Sequence, residues 1–158
     1  METPPLGIVV EISDTQNHVR VDPNAVRALV EGVLEGEGVD AAAISVALVD
    51  DEAIHRVNRD FLDHDCPTDV VSFVLSDPDE PLVGELVVSA ETAARVALEI
   101  GAAPWNELAL YLVHGLLHLC GCDDLDEDAA ARMRAREEVA LRRGGLANPF
   151  PLGRRPSA

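Results

Sequence analysis

A small α+β domain, with a mixed sheet of about four strands packed by about five helices, is the fold the sequence predicts, and three observations predict it. At 158 residues the chain can bury one core without disulfides or other staples. Four short runs rich in β-branched residues fall before position 90 and the remaining periods are helical, which favours α+β over a strictly alternating, doubly wound sheet. Apolar residues at 47% and charged residues at 26% lie near globular averages, so intrinsic disorder, a collagen-like repeat and a disulfide scaffold are excluded.

The elements follow in order. Gly7–Ile12, after Pro4 and Pro5, is the first strand; Asn24–Glu35 carries Val26, Leu29, Val30, Val33 and Leu34 at helical spacing. Ala43–Val49 reads as a buried strand, and Asp51–Leu62 as a helix with Ile54, Val57, Asn58 and Phe61 along one face. A polar connection ends at Pro67. Val70–Leu75 and Val83–Ser89, separated by the turn at Asp77–Pro81, are two neighbouring strands. Ser89, with Glu91 and Thr92, caps a helix over Ala93–Ile100 that Gly101 stops. Pro104 opens Trp105–Cys120, and Gly121 ends it. Asp126, Glu127 and Asp128 start the last helix, and Arg142 and Arg143 close it, matching the helix dipole at both ends. Residues 1–150 are expected to form one domain and residues 151–158 a disordered tail.

No window reaches the roughly 18 uninterrupted apolar residues of a membrane span, and the opening segment lacks the basic region and small-residue cleavage site of a signal peptide. A soluble, cytoplasmic protein is expected. The formal net charge is −17, and all 12 basic residues are arginine. That balance argues against nucleic acid as a partner except at the C-terminal end, where Arg132, Arg134, Arg136, Arg142 and Arg143 form a small basic island. Three cysteines, Cys66, Cys120 and Cys122, are an odd number and read as thiols or metal ligands in a reducing compartment.

The chemistry concentrates in Leu112–Asp126. His114 and His118 are four apart, so on a helix they stand one turn above each other on one face and can share one ion. The pair alone fits core histidines equally well. Gly121, three residues on, can take positive φ and turn the chain back, so that Asp124 points at the same place. The spacing H-x-x-x-H-x-x-G-x-x-D is that of the extended zincin motif with a carboxylate as third ligand, on a zincin-like metal-site helix. The Glu that usually follows the first His is here Gly115. Three ligands leave a position open for water, which suits catalysis. Cys120, Cys122, Asp123 and Asp126 are rival ligands, the cysteines otherwise reading as small buried hydrophobes and the acids as a solvated turn.

These residues carry a family resemblance. The segment HGLLHLCGCDD resembles the H-G-x-L-H-L-x-G-Y-D-H signature of the YbeY family of metal-dependent bacterial endoribonucleases, which act in ribosomal RNA maturation and ribosome quality control. Pro67–Phe73 resembles that family's P-T-D-V-L-S-F block, and Gly84–Thr92 its G-D-I-V-I-S-x-E-T block, in the same order. The resemblance implies a small α+β fold, one zinc or other divalent ion on His114, His118 and Asp124, a cleft shaped by Thr68, Asp69 and Ser72, and rRNA, the ribosome or its associated proteins as partners. Two departures stand out. Asp124 replaces the family's third histidine, and Leu62 occupies the place of an arginine proposed to act in catalysis, with Arg59 one turn earlier as a substitute. The competing expectations are a zincin-like metallopeptidase, which Gly115 disfavours, and a non-catalytic metal-binding module on the ribosome.

Overall fold

The structure, a computed structural model, describes residues 7–62 and 68–147. Along them run β1 (Ile8–Asp14), α1 (Pro23–Gly36), β2 (Ala42–Val49), α2 (Asp51–Leu62), β3 (Val70–Val74), β4 (Leu82–Ser89), α3 (Ala90–Ile100), α4 (Pro104–Leu119) and α5 (Glu127–Arg143). The four strands and five helices are those expected. Cys66, Pro67 and the tail at 151–158 lie outside the described residues, and so do the expectations placed on them.

The sheet order is β1-β2-β4-β3, with β1, β2 and β4 mutually parallel and β3 antiparallel to β4 at the edge. Alternation along the strands divides the core. Ala42, Ile44, Val46 and Leu48 of β2 face the larger cluster with α1 and α4, whereas Val71, Val87 and Ile54 form a smaller cluster under α2. Helix α2 starts where the sequence placed it, but Phe61 does not lie in that cluster's interior: it is 72% exposed and meets Phe73 only edge-on.

Helix α4 is the centre of the molecule. From Leu108 through Val113, and again at Leu116, Leu117 and Leu119, its side chains are apolar nearly all round, as a helix covered on every side must be. It touches α1, α3, α5 and strands β3 and β4. Pro104 supplies the first turn in place of a side-chain cap.

Ser89 caps α3 as expected, its hydroxyl accepting from the Thr92 amide at 3.1 Å. The helix begins at Ala90, three residues earlier than the apolar period indicates, because the cap sits directly on its first turn. The same hydroxyl donates to Asp51 Oδ1 at 2.6 Å; Thr92 donates to that oxygen as well, and Arg95 reaches Oδ2 at 2.7 Å. Burial pushes the Asp51 carboxyl up, but the hydrogen bonds from Ser89, Thr92 and Arg95 and the Arg95 charge outweigh it and hold the group below the usual carboxylate range. Glu91 accepts from the Asp51 amide at 3.0 Å. Ser89, Glu91 and Thr92, part of one resembling block, therefore tie the start of α2 to the start of α3.

Candidate metal centre

The site grows out of the end of α4. Leu119 is its last residue and Gly121, at φ 95°, turns the chain left-handed. The Cys122 amide donates to Leu117 O and the Gly121 amide to His118 O, both at 3.0 Å, a Schellman pair that satisfies two orphan carbonyls and reverses the chain. The reversal carries Asp124 back to the histidines.

His114, His118 and Asp124 each offer one ligand atom, and the three atoms lie within 4.8 Å of one another. The two Nε2 atoms are 3.1 Å apart, and His114 Nε2 is 3.9 Å from Asp124 Oδ2. Ligands about 2.0–2.2 Å from a tetrahedral zinc stand roughly 3.3–3.6 Å from each other, so this donor set fits one divalent ion with little movement. Asp124, on the turn, is the exposed member; His114 is mostly buried.

The rival ligands go elsewhere. Cys120 and Cys122 are free thiols but join no such cluster among the described residues. Burial, helped by the charge of Glu37, pushes the Cys120 thiol up to about 11. Cys122 is only half-buried and has polar company: Arg136 Nη1 lies 2.9 Å from its sulfur and 2.9 Å from Glu37 Oε1. Asp123 accepts from the Leu125 amide and Asp126 caps α5 through the Ala129 amide, the local uses acidic residues have in turns.

Sequence reasoning missed the contact behind His114. Glu137 of α5 is 5% exposed, and its Oε2 is 3.0 Å from His114 Nδ1. One signal did exist in the sequence, since Ala129, Met133, Glu137 and Leu141 fall at helical spacing and all are buried, leaving a carboxylate on an apolar stripe.

On the sheet side, Ser72 Oγ donates to the Gly115 carbonyl at 3.1 Å, pinning the residue next to His114 to β3. Gly115 explains its own identity. A Cβ there would lie 2.8 Å from Leu86 Cδ2 and 2.9 Å from Val70 Cγ2. That face of α4 is pressed on the sheet, which leaves no room for a glutamate side chain at this position. Thr68 and Asp69 lead into β3, and the Asp69 carbonyl accepts from the Ser89 amide at 2.9 Å. Arg59 is exposed and paired with Asp60 at 3.0 Å, and Leu62 is exposed at the end of α2.

The family model described as Endoribonuclease YbeY matches residues 11–145, which include every strand-to-helix step and the whole site. The chain belongs to the YbeY family. Proteins named Endoribonuclease YbeY that it resembles include one from Carboxydothermus hydrogenoformans, 39% identical over 87% of this chain and 99% of that one. Another, from Rhodopirellula baltica, is 44% identical over 72% of this chain and 60% of the relative. A third, from Geobacter sulfurreducens, is 37% identical over 87% of this chain and 98% of its own. The fold is similar to the solution structure of TM1509 from Thermotoga maritima, with a TM-score of 0.57 at 22% identity over 94% of this chain and 99% of that one. Asp124, where the YbeY signature has a histidine, is brought by the turn into the same cluster as His114 and His118. No helix among the described residues is long and apolar enough to cross a membrane.

Proposed function

We propose that this chain is a cytoplasmic metal-dependent endoribonuclease that cuts single-stranded RNA, acting at the 3′ end of small-subunit rRNA in ribosome maturation and quality control. The observation that carries the reading is the convergence of His114, His118 and Asp124 on one point in a chain of the YbeY family. A divalent ion, zinc by the imidazole ligands, supplies a water of lowered pKa and a Lewis acid for a phosphoryl oxygen. His114 and His118, held one turn apart on a buried helix, provide a rigid half of its coordination. Asp124 would be the third ligand, and its negative charge would favour harder ions. Ser72 keeps the helix at its distance from β3, and Thr68 and Asp69, at the head of that strand, shape the adjoining wall.

RNA must approach a chain of net charge −17 where positive charge is left uncommitted. Arg136 is paired to Glu37 and Arg142 to Glu138, which leaves Arg132, Arg134 and Arg143, and of these Arg132 stands in the cavity beside the turn that carries Asp124. With Cys120, Gly121, Cys122, Asp123 and Arg136, Arg132 lines a cavity of about 230 Å³. A peptidase of the zincin kind would need its base at position 115, where the sheet leaves no room.

Metal-stripped protein, the same protein reloaded with Zn²⁺, and a His118→Ala preparation should be offered an RNA spanning a small-subunit rRNA 3′ end. Cleavage restored by the metal and lost in the variant supports the reading. Folded protein that binds one equivalent and cuts no RNA overturns it in favour of a non-catalytic ribosomal module.

A further inference from the structure

We infer that Glu137 is a positioning residue of the metal centre: its carboxylate accepts the Nδ1 proton of His114 and fixes the tautomer whose Nε2 lone pair faces His118 and Asp124. The inference rests on the reading of those three residues as ligands. Three observations carry it.

The first is geometric. A carboxylate is only an acceptor, so a 3.0 Å contact with Nδ1 requires the proton on that nitrogen and leaves Nε2 of a neutral ring as an acceptor. That Nε2 is the atom 3.1 Å from His118 Nε2, and the His118 ring must then donate to it whenever no ion lies between them. Both rings thus present the same nitrogen to one point.

The second is burial. Glu137 stands on the apolar stripe of α5, with Met133 and Leu141 one turn to either side, where leucine would pack without desolvation cost. Among the described residues the side chain given as its partner is His114, although arginines stand near it on the same helix: Arg136 turns to Glu37, and Arg142 to Glu138.

The third is charge. Asp124 and Glu137 together bring two negative charges to the centre, which balances a divalent cation. A carboxylate behind a ligating imidazole also raises the basicity of the ring, and removing such a partner typically weakens metal binding by about 10- to 100-fold.

The test uses the full chain and zinc alone. Zinc affinity is measured by competition with a chromophoric chelator for wild type and Glu137→Leu, which fills the apolar stripe but cannot accept a proton, and the His114 tautomer is read from ¹⁵N imidazole shifts with and without zinc. The expected results are a proton on Nδ1 of His114 in wild type under both conditions and an affinity weaker by about 10- to 100-fold in the folded variant. A proton on Nε2 of zinc-free His114, or a variant affinity within about twofold of wild type, overturns the inference. If Glu137→Leu fails to fold, the wild-type tautomer decides alone. Cleavage of RNA is not the readout, so a chain that binds zinc through this geometry but cuts nothing fails the functional proposal and leaves this one standing.

Discussion

Gly115→Ala should destabilise the protein although alanine is the better helix former. The added methyl would stand 2.8 Å from Leu86 Cδ2, 2.9 Å from Val70 Cγ2 and 3.2 Å from Ser72 Oγ. Leu86 is fully buried on a central strand and cannot swing away, so the strain falls in the upper part of the roughly 1–3 kcal/mol that overpacking costs. Exchanging glycine for alanine inside a helix returns about 0.5–1 kcal/mol. The net loss is about 1–2 kcal/mol, which for a domain of this size lowers Tm by roughly 2–8 °C. Pushing α4 off β3 also stretches the Ser72 bond to the Gly115 carbonyl and shifts His114, so zinc affinity should fall with stability. Thermal unfolding of the metal-free protein followed by a zinc titration reads both effects. Val70→Ala in the same chain removes one clashing methyl and should recover part of the loss. An unchanged or raised Tm in Gly115→Ala would refute the claim that the sheet, rather than the chemistry, dictates glycine here.

Three further outcomes are expected. Asp124→His, which installs the family's own third ligand, should raise zinc affinity by about tenfold and lower the preference for Mn²⁺, read by metal competition; a weaker zinc site would show that Asp124 does not occupy the ligand position. Asp51 has a carboxyl held below its ordinary value, so its contribution is present above pH 3.8 and lost as pH falls through the folded-state value. Urea midpoints should therefore drop more steeply below about pH 4 in wild type than in Asp51→Asn, whose lost bonds to Ser89, Thr92 and Arg95 cost roughly 1–3 kcal/mol at neutral pH; parallel profiles would contradict this. Arg132→Ala should weaken RNA binding and reduce the slope of log K against log salt by roughly 0.7, the loss of one phosphate contact on a single strand, whereas an unchanged slope places the RNA elsewhere.

What the sequence made legible is what local rules govern. The strand runs, the apolar stripe of α1 and the extent of α2 are properties of contiguous residues, and their limits fall within a few positions of those observed. The cluster of His114, His118 and Asp124 was legible for the same reason: His114 and His118 are one helical turn apart, and Gly121 determines a local reversal that delivers Asp124. Non-local relations were not. Nothing in a linear pattern says that β4 inserts between β2 and β3, or that Glu137 of α5 meets His114 of α4 across 23 positions. Phe61 shows the complementary error, since it continues the apolar face of α2 but is left exposed, meeting Phe73 only edge-on. Gly115 became intelligible only through its neighbours Leu86 and Val70, which lie on two different strands.

The most direct measurement is zinc K-edge X-ray absorption on protein reloaded with one equivalent of the metal, compared with Asp124→Ala. Two imidazole nitrogens and a carboxylate oxygen at about 2.0–2.2 Å, with the oxygen scatterer diminished in the variant, are predicted. Sulfur at about 2.3 Å, which would place Cys120 or Cys122 on the ion, or a ligand set unchanged by the loss of Asp124, would contradict a centre built from His114, His118 and Asp124.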